Sequence, residues 1–404
     1  MKVSLEQSTL KLFEKICQTR GMDNNNILFS PYAFQQVLSF LSATLTDETF
    51  QNELEFHHEL EFQNNLDKEI VQKELDEAVQ KELFPYISPI LSNESLLNTK
   101  SDLLIFLRDE SRQGNLWDRI QTFQRKSFGE EVIPSLFAQH TGLCWALQHS
   151  AEWQIPFNKN NTRLRPFYLD GGEEIQLPTM EAEFSNVYSC TTADYEVVGL
   201  PGTNQSIVYF VKPKRRKNDW SLWHIYIGDD STKAKKNIVQ YLWNMYNHRR
   251  KKVLRRLWDI CNHDDELHHT ITFQMPKISI KKDVFPLFEF ISAPVYPPDS
   301  IPLKAPPPGF FSPVSFRNIY QSVRLYLNEV NINANICTSF DTILSSFLFP
   351  PNMTGPGLDP PKSRIIKMDS PYFIVIKDKT PDGVTHIVCT AWISDLYSLC
   401  SPWT

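Results

Sequence analysis

The sequence predicts an α+β fold in a single domain over 1–404, and three observations carry that prediction. Residues 4–20, the segment from Pro31 and residues 47–84 have helical texture. From residue 143 onward the chain is rich in candidate strands. The two kinds of element then alternate irregularly, whereas a doubly wound parallel sheet would alternate them regularly. At 404 residues the chain exceeds the usual domain size, but large mixed folds of this length occur as one unit.

Each element has a local reason. In 4–20, Leu10, Phe13, Ile16 and Cys17 share one helical face with charges between them. Ile27 to Phe29 form a short apolar strand. Ser30 then suits a helix N-cap and Pro31 the first helical position, and Phe34, Val37, Leu38 and Leu41 follow at helical spacing. The acidic stretch 47–84 holds near-duplications, Glu53 to Phe56 against Glu59 to Phe62, whose spacing sustains no heptad; it reads as a surface helical insertion. Leu143–Leu147, Glu196–Leu200, Ile207–Val211, Thr270–Met275, Arg324–Leu327, Tyr372–Ile376 and Thr385–Trp392 read as strands. A second insertion, 214–269, carries a charged helical stretch. A third, 292–313, has eight prolines, too many for regular structure. Residues 340–364 form a long loop rich in Pro, Gly and Ser.

Composition narrows the function classes. Hydrophobic residues make up 41% and aromatic residues 12%, enough for a large core, and a net charge of −6 gives no global attraction to nucleic acid. No apolar run approaches the roughly 18 residues that span a bilayer, so no membrane partner is expected. The amphipathic N-terminus lacks the apolar core of a signal peptide. The seven cysteines are odd in number and widely spaced, as free thiols in a reducing compartment would be. A cytoplasmic or nucleocytoplasmic location is expected, with unconventional export as the extracellular alternative.

No GxSxG, phosphate-binding loop, GxGxxG or HExxH is present. The cluster His263, Asp264, Asp265, Glu266, His268 and His269 is packed closely enough to be a solvated loop. No catalytic residue, metal or cofactor is expected, and no enzyme. Two basic runs stand out: Lys214 to Lys217, and Arg249, Arg250, Lys251 and Lys252 with Arg255 and Arg256. The second reads either as a plain solvated helix, with Leu254, Leu257 and Trp258 on its buried side, or as a polyanion-binding or nuclear-import patch.

Seven segments, in order, resemble the serpin family. Asn26 to Pro31 is similar to its N-I-x-F-S-P entry from strand to helix. Trp153, Pro156, Phe157, Thr162, Pro166 and Phe167 match its W-x-x-P-F-x-x-x-x-T-x-x-x-P-F stretch, and Pro178 and Met180 its V-P-x-M. Leu200–Pro201 with Val208 to Pro213 resembles the hairpin ending in F-I-x-P. Pro276 to Ile278 resembles L-P-K-F, Leu325 to Glu329 resembles L-D-V-N-E, and Pro371 to Ile376 resembles P-F-L-x-x-I.

The resemblance implies a main mixed β-sheet and two smaller sheets, surrounded by about eight or nine helices, with an exposed reactive loop, here in 329–369. It also implies a mechanism. A serine or cysteine protease attacks the loop and forms an acyl-enzyme. The cut loop inserts as a new strand into the main sheet, and the protease is distorted before deacylation in a covalent complex. A monomer is expected.

The loop hinge would then be Glu329, Val330, Asn331, Ile332, Asn333, Ala334, Asn335, Ile336, Cys337 and Thr338. Its alternation puts Ile332, Ala334, Ile336 and Thr338 inward and Asn331, Asn333, Asn335 and Cys337 outward. Against the family's pattern, a mobile Gly becomes Asn331, and isoleucines replace smaller inward residues, an overpacking of about 1–3 kcal/mol per site. The family's polar cluster of Ser, Asn and His beneath the main sheet becomes Ala33, Trp145 and Gln321, so its hydrogen-bonded network cannot survive unchanged, and a Gly near the final strand becomes Thr390. The loop is about 15 residues longer than the family's. Counting forward places the scissile bond near Ser345–Ser346 and counting back places it near Pro360–Pro361; Arg364 would suit a trypsin-like protease. Two functions stay open: a serine protease inhibitor that acts as a suicide substrate through loop insertion, or a non-inhibitory binding or decoy module.

Overall fold

A computed structural model describes residues 5–22, 25–34, 86–88, 99–106, 142–169, 173–214, 233–262, 268–286, 318–341, 364–379 and 383–396. The expected insertions 47–84 and 292–313 lie outside these residues.

Two sheets organise the described residues. The larger has nine strands in the order β1 (Ile27–Phe29), β15 (Thr385–Ile393), β14 (Tyr372–Lys379), β8 (Ile207–Pro213), β7 (Tyr195–Pro201), β6 (Glu174–Thr191), β9 (His268–Pro276) and β13 (Arg364–Lys367), with β5 (Arg163–Tyr168) also paired to β6. It is mixed, because β13 runs parallel to β9. The other has six strands, in the order β10 (Ile278–Pro286), β11 (Asn318–Leu327), β12 (Asn331–Asp341), β4 (Gly142–Glu152), β3 (Thr99–Phe106) and β2 (Tyr86–Ser88). Every candidate strand read from the sequence lies within one of these.

The resemblance implied two separate smaller sheets; here their strands run on as one. The reason is β6. Its first part pairs with β5 and β9 and its last part with β7. The pairing with β9 shifts between Phe184 and Val187, where Asn186 takes a left-handed φ of 58°. That bulge turns the strand without ending it.

The core lies between the sheets and under the N-terminal helix. Tyr372 to Asp378 in β14 are all buried, as expected of a strand covered on both faces. Helix α1 (Leu5–Arg20) buries Leu10, Phe13, Ile16 and Cys17, the face its spacing predicted, and Phe13 meets Phe373 edge to face at 6.5 Å. The Trp392 ring also packs against Phe373, at 4.5 Å. His149 of β4 and Asp378 of β14, both fully buried, bring Nδ1 to 3.5 Å from Oδ2 and so join the two sheets. Ser30 caps a helix start as expected: its Oγ accepts from Ala33 N at 3.2 Å. Within 214–269 lie α2 (Lys233–Arg255) and α3 (Leu257–Cys261). No described helix is long and apolar enough to cross a membrane.

Candidate functional site at the central strand

The structure places the expected hinge residues from Asn331 onward in a paired strand. Asn331 to Asp341 form β12, a central strand. It pairs antiparallel with β11 from Ile332 to Asp341 and with β4 from Asn331 to Phe340. β4 and β11 run in the same direction, and β12 fills the slot between them with opposite polarity. The physical reason lies in the alternation. Ile332, Ala334 and Ile336 are each 0% exposed and face the core, so leaving the sheet would return two isoleucine side chains and an alanine to water. Asn331 and Asn333 are half-buried, and Asn333 Oδ1 accepts from Ser150 Oγ at 3.0 Å. Asn335, expected outward, is buried at 9%. Cys337 and Thr338 continue the ladder opposite Ala146 and Trp145.

The expected overpacking at Ile332 is relieved from across the core. A Cβ on Gly202 would lie 3.1 Å from Ile332 Cδ1 and 3.2 Å from Glu152 O. Glycine leaves the space that the isoleucine occupies.

The turn into β12 is clamped on several sides. Asn328 Oδ1 accepts from the N–H groups of Val330 (2.9 Å) and Asn331 (2.8 Å), the bonds an Asx turn makes. The main-chain oxygens of Asn328, Glu329 and Val330 accept from Trp153 Nε1 (2.7 Å), Phe157 N (2.8 Å) and Trp153 N (2.9 Å). The Glu329 carboxylate, 3% exposed, accepts from Lys277 Nζ at 2.6 Å and Thr162 Oγ1 at 2.8 Å. Burial alone would raise the Glu329 carboxyl pKa; the bonds from Lys277 and Thr162 outweigh it and hold the value below the ordinary one. Along the sequence Trp153, Thr162 and Lys277 stand out only as motif positions. Together they bind one turn. Asn328 and Gly202 were missed, although an Asn beside a strand end is a turn signal.

Beneath the sheet the polar cluster is rebuilt. Gln321 Oε1 accepts from Ser30 N at 2.6 Å while its Nε2 donates to Ser30 O at 3.2 Å. Ser30 Oγ donates to Val388 O at 2.6 Å, and Thr390 Oγ1 donates to Phe29 O at 3.1 Å. A side-chain amide carries both a donor and an acceptor, so Gln321 ties β11 to one main-chain unit at two points.

The other predicted positions separate. Ser345 and Ser346 lie outside the described residues. Arg364, expected in the loop, begins β13 opposite Ile271, so its backbone is in a paired strand. The second basic run is on a helix as expected, with Val253, Leu254 and Leu257 buried, but it does not present one patch. Arg249 and Arg250 are themselves buried. Arg249 donates to Lys214 O at 3.3 Å; Arg250 donates to Asn247 and lies over the Tyr246 and Trp392 rings. Lys252 pairs with Asp194 at 2.6 Å and Arg255 with Glu14 at 3.3 Å. Lys251 is exposed and Arg256 half-buried. Long basic side chains lay their stems on apolar surface, and acidic partners distant in sequence take up the charge. Of the His/Asp/Glu cluster, residues 263–267 lie outside the described residues. Among the described residues no group of three or more His, Cys, Asp or Glu is placed to hold a metal.

The comparisons agree with this geometry. A family model described as Serpin (serine protease inhibitor) matches residues 134–253. No curated protein matches the chain. Among solved structures, a cleaved Serpin 42Da aligns with 97% of both chains at 15% identity and a TM-score of 0.63. A second form of that cleaved serpin covers 97% of this chain and 95% of its own at 14% identity and 0.61. A loop-inserted structure of a cleaved ovalbumin mutant covers 98% and 99% at 10% identity and 0.61. The chain therefore has the serpin fold, and across residues 134–253 it matches the serpin family.

Proposed function

We propose that this chain is a non-inhibitory serpin-fold protein that acts as a binding or decoy module. One observation carries the reading: β12 already fills the central slot of the six-stranded sheet while β13, the other end of the same connection, is also paired. Inhibition by trapping needs an empty slot for the cut loop to enter. The similar solved structures are described as cleaved or loop-inserted; here the filled slot belongs to one continuous chain. A protease that cuts between β12 and β13 would meet no further insertion and would release both ends as an ordinary substrate.

The test is incubation with trypsin-, chymotrypsin- and elastase-like serine proteases and a papain-like cysteine protease, followed by a denaturing gel. The expected result is cleavage without a higher-mass band. An SDS-stable complex with any of them would restore the suicide-substrate reading.

A further inference from the structure

A cavity of about 450 Å³ lies beside the turn into β12. Three separate stretches of chain wall it: Lys159 in the single helical turn Lys159–Asn161, the junction of β9 and β10 from Lys277 to Ser279, and the turn between β11 and β12 from Tyr326 to Asn331. Its volume falls within the roughly 300–1,000 Å³ of small-molecule sites.

The ladder sets which side chains reach it. Ser279 and Tyr326 are opposite each other in the β10–β11 pairing, so both stand on one face of the sheet. Their neighbours Ile278, Ile280, Leu325 and Leu327 are buried on the other face. Tyr326 and Val330 are half-buried, and apolar surface dominates the wall.

Three charged side chains line the cavity: Lys159, Lys277 and Glu329. The Glu329 carboxylate is already met by Lys277 and Thr162, so that pair is neutral. Lys159 is exposed, and no acidic side chain pairs with it among the described residues. The cavity therefore carries one uncompensated positive charge. The backbone of Lys159 is held in place: its carbonyl accepts from Thr162 N at 3.1 Å, and Asn158 Oδ1 accepts from Asn160 N at 2.9 Å. A cationic ligand would meet two lysines here, and a wholly apolar one would leave their charge unanswered. The ring of Tyr326 offers a flat apolar surface of the kind on which aromatic bodies pack.

We propose that this cavity binds a small aromatic acid, a flat ring system with a single carboxylate, the carboxylate directed to Lys159 and the ring held against Tyr326 and Val330. The walls belong to both flanks of the turn into β12, so the site exists only while that turn is closed, and a bound acid stabilises the closed turn by mass action. The inference does not rest on the non-inhibitory reading; the site would be present in either case.

The experiment uses naphthoate as the probe, with naphthamide as its uncharged counterpart and decanoate as an aliphatic acid. Each is titrated into the full chain at low salt by calorimetry, and hydrogen exchange locates the binding. Naphthoate is expected to bind with a Kd on the order of 0.1–1 mM, as befits so small a ligand, and to slow exchange in the peptide covering 326–331. Naphthamide should bind about tenfold more weakly, and Lys159→Met should weaken naphthoate by about tenfold while leaving naphthamide unchanged. Tyr326→Ala should weaken both. Since Lys159 is exposed, its replacement leaves the fold intact, which the thermal midpoint without probe checks. No slowing of exchange at 326–331 with millimolar naphthoate overturns the proposal. So does equal binding of the acid and the amide, an unchanged affinity in Lys159→Met, or decanoate binding more tightly than naphthoate. No protease enters these measurements, so the gel assay above can fail while the site stands, and the reverse.

Discussion

β12 and β13 are the two ends of one connection, yet the fold holds them by different means. β12 has a partner along nearly its whole length on each side, and its inward residues Ile332, Ala334 and Ile336 are fully buried. β13 is four residues long, pairs with β9 alone, and buries Ile366 while leaving Ile365 57% exposed. Beyond it, Met368 N donates to Gln274 O at 2.8 Å and Asp369 receives Lys212 Nζ at 2.9 Å. The difference teaches where strain would go. A strained connection would release the edge strand first, because a central strand gives up two ladders and its core side chains together.

The strongest way to break this contrast is to weaken β12 from inside. Ile336→Ala removes fully buried methyl groups and is expected to cost about 2–5 kcal/mol in urea unfolding. A cost under about 1 kcal/mol would mean that β12 does not hold the sheet.

Next comes the clamp at its turn. Glu329→Gln replaces a charge-assisted pair with Lys277 by a neutral amide, for about 1.5–3 kcal/mol. The folded carboxyl pKa lies below the ordinary 4.5, so its contribution is complete above that value and fades as pH falls through the folded value. Unfolding curves of the natural chain and the variant should therefore converge as pH drops below 4.5; parallel curves would remove the carboxylate from the account.

A smaller effect is expected at Gly202→Ala. The new Cβ would crowd Ile332 and the fixed Glu152 carbonyl, at about 1–3 kcal/mol. Combined with Ile332→Val, which shortens the facing side chain, the loss should be partly recovered, and simple addition of the two costs would show that the sites do not meet.

The smallest effect belongs to the edge. Ile365→Ser should stay within about 0.5 kcal/mol. If it rivals Ile336→Ala, the contrast between the two strands is wrong.

Much of this was legible along the chain. The amphipathic face of α1, the strand–cap–helix entry at Ile27 to Phe34 and the alternation from Asn331 to Ile336 are local patterns, and the local physics that produces them also places them. What could not be read locally was occupancy. Alternation says that a segment can be a strand; whether its slot is filled depends on where β4, β11 and β13 stand. Gln321 illustrates the same limit. Its presence reads as loss of a polar network until Ser30, distant in sequence, is seen at both of its amide atoms. The basic run is similar: its helical spacing was clear, but Asp194 and Glu14, which take up Lys252 and Arg255, are far away in sequence. Ile332 looked too large for its place because nothing in its own segment points to Gly202.

The cysteines give the molecule a built-in clock. Cys17, Cys190, Cys261 and Cys389 are buried and in no disulfide, in α1, β6, α3 and β15. Burial raises the Cys17 thiol and pushes Cys261 and Cys389 up to about 12, so in the closed state a thiol reagent finds neither access nor thiolate at these three. All four sit outside the six-stranded sheet. Their modification, read peptide by peptide, therefore times the opening of the helices and the nine-stranded sheet separately from any departure of β12.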